Sequence, residues 1–151
     1  MKLAIGSDQN GYTLKKALIE SLHTLGHEVI DLGCDENEII DYPDVAEKLG
    51  LAVATGDFER GILICGTGIG MALVANKIPG VRAAQIADIY SAERAAKSNN
   101  ANIITFGAQV IGIETANALA LTWLNSEFEG GRSLPKVEKV ERIDQHYRAK
   151  S

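Results

Sequence analysis

Apolar positions recur along this chain in two alternating rhythms. Short apolar, β-rich runs predict buried strands: LAIG (3–6), EVIDLG (28–33), RGILIC (60–65), VRAAQI (81–86) and NIITFG (102–107). Between them the spacing turns helical. TLKKALIESLHTLG (13–26) places Leu14, Leu18, Leu22 and Leu25 at i, i+4, i+8 and i+11, closing on Gly26 as a cap. Further helices are expected over 45–56, with Asp44 as a candidate N-cap, and over 69–77, 90–99 and 113–128. The charged tail KVEKVERIDQHYRAK (136–150) is also helix-prone, and CDENEIIDYPD (34–44) reads as a polar loop. RGILIC lacks alternation, as expected of a strand covered on both faces. Five β–α repeats in series imply one α/β domain, a parallel sheet with helices on both sides. In such sheets ligands bind beyond the carboxyl ends of the strands. Candidate chemistry therefore lies in SDQNG, GCDENEIIDY, CGTGIG and GAQVIG.

Composition narrows the function. A chain of 151 residues with 46% hydrophobic content can bury a proper core. Its net charge of −5 and pI near 5.2 argue against a nucleic-acid groove or an anionic membrane surface as partner, because both call for a basic face. Two cysteines, Cys34 and Cys65, are too few for a disulfide framework and suggest a reducing compartment. The opening MKLAIGSDQNG carries an apolar run too short for a signal sequence or a membrane span. The expectation is a cytoplasmic protein.

The chemistry concentrates in ILICGTGIGMALVANK (62–77). Gly66, Gly68 and Gly70 strip side chains from a strand-to-helix turn that also holds Thr67 and Ile69. Several amide N–H groups can then face one concavity, a cradle for a phosphate or for an oxyanion that develops during reaction. The G-x-G-x-G spacing is neither a dinucleotide fingerprint nor a Walker loop. Cys65, the last strand residue, could be an inert small hydrophobe. Beside free amides its thiolate could instead serve as nucleophile or base. A nucleophilic cysteine wants a histidine partner. His23 and His27 fall at the end of the first helix and His146 in the tail, so proton abstraction fits better than acyl transfer. Cys34, in an acidic loop, reads as a bystander thiol.

The sequence resembles the type B ribose-5-phosphate isomerases and the related galactose-6-phosphate isomerases over nearly its whole length. The resemblance is carried by IGSDQNGYTLK, DYPDVA (41–46), ILICGTGIGMALVANKIPGVRAA (62–84), YSAERA (90–95), NIITFGAQVIG (102–112) and FEGGR (128–132). It implies a Rossmann-like three-layer sandwich around a five-stranded parallel sheet, built as one domain. Residues 1–132 would form its body, and 133–151 a C-terminal helical tail exchanged with a partner subunit. It implies a homodimer or homotetramer with sites between subunits. It also implies isomerisation of a small phosphorylated sugar through a cis-enediolate, with no metal and no cofactor. By the same resemblance Cys65 is the base, Thr67 the proton-shuttling hydroxyl and residues 66–70 the oxyanion cradle. Asp8, Tyr42 and Asn99 line the sugar site, and Arg132 binds phosphate. Taken singly, Asp8 could cap a helix, Tyr42 could be a half-packed loop residue and Arg132 an exposed turn cation; jointly they match one site.

Four positions depart from the family pattern. Gln9 stands where a histidine is expected, Ser98 where a ring-opening histidine is expected, Gln109 where an arginine is expected, and Lys136 where a second phosphate-binding arginine is expected. Lysine meets phosphate as a point charge without the bidentate fork. A four-carbon sugar 4-phosphate cannot close a furanose and needs no ring opening, and the stretch 91–112 also resembles tetrulose-phosphate isomerases. The favoured substrate pair is therefore D-erythrulose 4-phosphate and D-erythrose 4-phosphate, with ribose or galactose phosphates as alternatives. A sugar-phosphate-binding regulator is the non-enzymatic alternative. The intact Cys65 speaks against it, since a binder needs no base there.

Overall fold

The computed structural model describes residues 1–149. Five parallel strands form the sheet: β1 (Lys2–Ser7), β2 (Glu28–Asp31), β3 (Arg60–Cys65), β4 (Ala83–Gln85) and β5 (Ile103–Gly107), in the order β2-β1-β3-β5-β4. Six helices accompany them: α1 (Tyr12–Thr24), α2 (Tyr42–Ala54), α3 (Ile69–Ala75), α4 (Ile89–Lys97), α5 (Ile113–Leu124) and α6 (Leu134–Arg148). The chain builds outward from β1 toward β2, then from β3 toward β5 and β4. Its winding reverses between β1 and β3, where open α/β sheets leave a crevice.

The strands other than the edge strand β2 feed two cores, because successive side chains point to opposite faces. Ile62 and Ile64 of β3 join Leu18 of α1, Ala92 of α4 and Trp123 of α5 on one side. Leu63 and Cys65 join Leu49 of α2 and Met71 of α3 on the other. This is the three-layer sandwich expected, and it explains why RGILIC shows no alternation.

Element ends follow local chemistry. Past α1, Gly26 has φ +89° and donates to the His23 carbonyl at 3.0 Å, while His27 N–H reaches the Leu22 carbonyl at 3.1 Å. This left-handed cap needs glycine. Leu25, read from the periodicity as part of the apolar stripe, is 55% exposed, because it has already left the helix. Lys15 takes a buried place instead, its ammonium held by Asp31 Oδ1 at 2.9 Å and by the Cys34 carbonyl. Asp44 is not a cap: α2 starts three residues earlier than expected, with Asp41 as its N-cap and Pro43 in its first turn, so Asp44 lies inside the helix. The expected helix over 113–128 stops at Leu124. Arg60 donates to the Trp123 and Ser126 carbonyls, at 2.5 and 2.7 Å, and takes up the groups a longer helix would use. The tail helix begins at Leu134, after a short 3-10 turn over Gly131–Ser133. The expected tail included Lys150 and Ser151, which lie outside the described residues.

Candidate active site

The strand ends bring the glycine turn beside the first βα turn. Cys65 closes β3 and pairs in register with Gly107 of β5. The two loops that follow run together: Ala108 N–H donates to the Cys65 carbonyl at 2.9 Å, and Gln109 N–H to the Gly66 carbonyl at 3.0 Å. On the other flank Asp8 N–H donates to the Ile64 carbonyl at 3.3 Å. Cys65 is thus fixed between β1 and β5 by main chain alone.

Two glycines are required by close approach. Gly68 sits at φ +80°, and a Cβ there would lie 2.8–3.1 Å from the backbone of Phe106. A Cβ on Gly107 would meet the Cα, C and O of Thr67 at 2.7 Å. The turn therefore folds down onto β5 and directs Gly68 N–H at Cys65 Sγ, 3.1 Å away. Ile69 N–H donates to Thr67 Oγ1 at 3.2 Å. The helix expected over 69–77 ends at Ala75. With seven residues, α3 carries too little aligned backbone for its dipole to dominate, and the donors are turn amides.

Cys65 is only 6% exposed, yet it borders a cleft of about 400 Å³. Asp8, Asn10 and Tyr42 form one wall, the glycine turn the floor, and Ile69 and Leu73 of α3 the rim. The buried Asp8 accepts from the amides of Asn10 and Gly11 at 3.0 and 3.2 Å, fixing the SDQNG turn rather than capping α1, whose N-cap is Gly11. The Tyr42 ring stacks over Gly70 so closely that a Cβ there would collide with it. Gln9 turns aside: its Oε1 accepts from Ile40 N–H at 3.2 Å and ties down the loop before α2. Gln109 is exposed, with its amide against Gly66. Among the described residues, no histidine lines this cleft.

The remaining expected residues gather elsewhere. Ser98, Asn99, Arg132 and Lys136 line a second cleft of about 760 Å³ between β4 and α6. The two clefts share no lining residue. Arg132, in the 3-10 turn, and Lys136, in the first turn of α6, are both exposed and line this same cleft. Ser98 Oγ accepts from Arg94 Nη1 at 3.1 Å, and Arg94 pairs with Glu93 at 3.1 Å. The Glu93 carboxyl is held below its usual range, first by the Arg94 hydrogen bond and then by the charge of Lys97. Arg82 bonds to Glu141 at 3.0 Å and ties α6 to the sheet.

Periodicity gave no warning of three polar residues around these sites. Lys15 lies next to Leu14 of the apolar stripe of α1, and periodicity alone does not distinguish it from a solvent-facing lysine. Asn10 differs from its neighbours in SDQNG only by position. Thr105 lies inside an apolar strand pattern, and a hydroxyl within such a run is the one signal that could have marked it.

Among the described residues, no group of three or more His, Cys, Asp or Glu is placed to hold a metal ion, and no helix is long and apolar enough to cross a membrane.

Comparison with known proteins places this architecture. Residues 3–140 match the model of the ribose/galactose isomerase family. The ribose-5-P isomerase B of Listeria innocua is 58% identical over 148 residues, covering 98% of this chain and 100% of that one. The D-erythrulose-4-phosphate isomerase of Pectobacterium atrosepticum is 52% identical over 143 residues, covering 93% of each chain. The solved structure of the Clostridium thermocellum ribose-5-phosphate isomerase B superposes with a TM-score of 0.95 at 45% identity, covering 97% of this chain and 99% of that one. The chain belongs to the ribose/galactose isomerase family. It is an enzyme of the isomerase class, a sugar isomerase with a Rossmann-like fold.

Proposed function

We propose that this enzyme interconverts an aldose phosphate and a ketose phosphate through a cis-enediolate, with Cys65 as the base. The observation that carries the proposal is the Cys65 sulfur at the end of β3, bordering an open cleft and receiving the Gly68 amide at 3.1 Å. That amide gives the sulfur a hydrogen-bond partner from the turn. The thiolate takes the proton from the carbon beside the carbonyl. The electron pair moves to the carbonyl oxygen, and amides of the 66–70 turn stabilise that charge. Thr67 passes a proton between the two substrate oxygens, and the Cys65 thiol returns its proton to the neighbouring carbon. No metal or cofactor enters this scheme. Asp8 and Tyr42 border the sugar. The enzyme works in the cytoplasm, where its two free thiols stay reduced.

In this reading a homodimer completes each site. One copy supplies the Cys65 cleft, and the other brings Ser98, Asn99, Arg132 and Lys136, with the two cations on the phosphate. Support comes from the separation of the two clefts within one chain, and from α6, where Val140 and Ile143 are 53% and 60% exposed. A pair of exposed apolar residues lining that cleft suits a covered surface. The exchange of residues 133–151 belongs to the same proposal, as does any pairing of dimers into a tetramer.

The favoured substrate pair is D-erythrulose 4-phosphate and D-erythrose 4-phosphate. Ser98 is tied to Arg94 and cannot act as a ring-opening base, and the uncharged Gln109 rests on Gly66. A 52% identical relative carries that activity in its name. The second reading, ribose 5-phosphate, is favoured by the Listeria innocua relative at 58% identity. Coupled assays on tetrose, pentose and hexose phosphates decide between them. The proposal expects kcat/KM highest on erythrose 4-phosphate. Far faster turnover of ribose 5-phosphate would refute the tetrose assignment and leave the isomerase. Binding without turnover of any sugar phosphate would make the chain a regulator.

A further inference from the structure

The two peptide units that carry the turn's assigned amide donors are each held from behind by a strand. Peptide 67–68 presents Gly68 N–H to Cys65 Sγ, and its carbonyl, on Thr67, accepts from Gln85 Nε2 at 3.4 Å. Peptide 68–69 presents Ile69 N–H to Thr67 Oγ1, and its carbonyl, on Gly68, accepts from Thr105 Oγ1 at 2.7 Å. A trans peptide is planar with its N–H and C=O opposed, so fixing the oxygen aims the hydrogen. Gln85 on β4 and Thr105 on β5 are register partners, which puts both side chains on one face of the sheet, beneath the turn. Thr105 is fully buried in a strand whose other inward residues are apolar, and its hydroxyl goes to this carbonyl. Burying a hydroxyl is unfavourable unless it is bonded, and nothing in the packing of β5 calls for one there. The Gly68 carbonyl already accepts from Ala72 N–H at 3.2 Å as the first bond of α3, so the hydroxyl is a second restraint on an oxygen that has one.

We infer that Thr105, seconded by Gln85, is a positioning residue for the proton-transfer step: it locks the Gly68 peptide so that consecutive amides stay on the Cys65 sulfur and the Thr67 hydroxyl. This rests on the reading of Cys65 as the base. Neither residue lines the Cys65 cleft; both act through the turn. Gly68 takes a left-handed φ of +80° without a side chain to hold it, and the restraint is applied there. A preorganised donor costs nothing to orient at the moment of reaction, whereas a swinging one must be ordered each time.

The test is the reactivity of the thiol, which requires no sugar phosphate. Thr105→Val keeps the branched shape and removes the hydroxyl. Iodoacetamide labelling of Cys65 is followed against pH by peptide mass, so that Cys34 is counted apart. The titratable groups that share the cleft, Asp8 and Tyr42, are unchanged in every variant. The expected result is a labelling midpoint about one pH unit higher, hence roughly tenfold slower labelling near neutral pH. With substrate, kcat falls on the order of tenfold while KM stays within about twofold. Thr105→Ser restores both values. Gln85→Leu, on the exposed edge strand, moves the midpoint in the same direction by less. If Thr105→Val fails to fold, Thr105→Ala and Gln85→Leu carry the same expectation. A midpoint equal to the parent's in a folded hydroxyl-free variant overturns the inference. Parent-like turnover by Cys65→Ala would instead overturn Cys65 as the base, and is distinguishable because the positioning role is judged on the difference in labelling between parent and variant.

Discussion

The two clefts of this chain are made of different materials. Around Cys65 it is main chain that sets the position of the turn: register-paired strand ends, two loops joined by hydrogen bonds, and glycines packed to contact distance against Phe106 and Thr67, with Asp8, Asn10 and Tyr42 beside it. Around Arg132 the lining is shared between side chains of α6, Lys136 and Glu141 among them, and the region of β4 and the end of α4, with Arg82, Ser98 and Asn99; the Arg82–Glu141 pair anchors the helix to the sheet. Main chain on a parallel sheet can hold a donor to within tenths of an ångström, which a proton transfer requires. Flexible cations tolerate looser placement, which suffices for a phosphate. One cleft is built for chemistry and the other for grip, so damage to them should appear in different kinetic constants.

The largest expected effect is that of Cys65→Ala. It should lower kcat by on the order of 10³-fold, the scale of a lost acid–base group. Binding of a sugar phosphate, followed by calorimetry, should persist. Turnover within tenfold of the parent would remove Cys65 from the mechanism.

Gly107→Ala tests whether backbone placement is the means. Its Cβ must displace the Thr67 main chain, which has no rotamer to yield. A shift of that size is expected to cost on the order of 10²-fold in kcat. It should also cost about 1–3 kcal/mol of stability in urea unfolding, as an overpacked site. Parent-like kcat would show that the turn tolerates movement.

Arg132→Met addresses the second cleft. It should raise KM by on the order of tenfold or more, through loss of charge-assisted hydrogen bonds, and leave kcat within about threefold. A fall confined to kcat would contradict the division of labour.

The smallest effect lies outside both clefts. The Asp88 carboxylate caps α4 by accepting from Ser91 N–H at 2.8 Å. That amide, followed by the Ser91 side chain, holds the carboxyl below its usual range. A depressed carboxyl stabilises the fold at pH above its unfolded value and loses that contribution as pH falls through the folded value. Asp88→Ala should therefore lower Tm by a few degrees at neutral pH, with the difference closing in acid and kcat unchanged. A Tm difference constant down to low pH would refute the capping role.

Legibility followed the same division. Strand β3 was readable to the residue because six consecutive positions all pack, which leaves a continuous signal. The Cys65–Gly70 turn was readable because glycine spacing records main-chain contact directly. Asp44 and the end of α5 were misplaced because caps depend on which group reaches an orphan amide or carbonyl. That partner, Arg60 in the case of α5, is distant in sequence. Thr105 and Lys15 went unseen for a similar reason: a single polar residue in an apolar pattern is ambiguous until its bonding partner is known.

By itself the sequence determined the order of strands and helices, the two-sided burial of the sheet, and the thiol beside a glycine turn. These are properties of neighbours along the chain, set by periodicity and by glycine's freedom. Only the tertiary structure decided that Gly68 faces the sulfur, that Thr105 and Gln85 stand behind that turn, and that Arg132 and Lys136 occupy a different cleft. Those relations arise from strand register and helix docking, which join residues tens of positions apart through contacts no local pattern encodes.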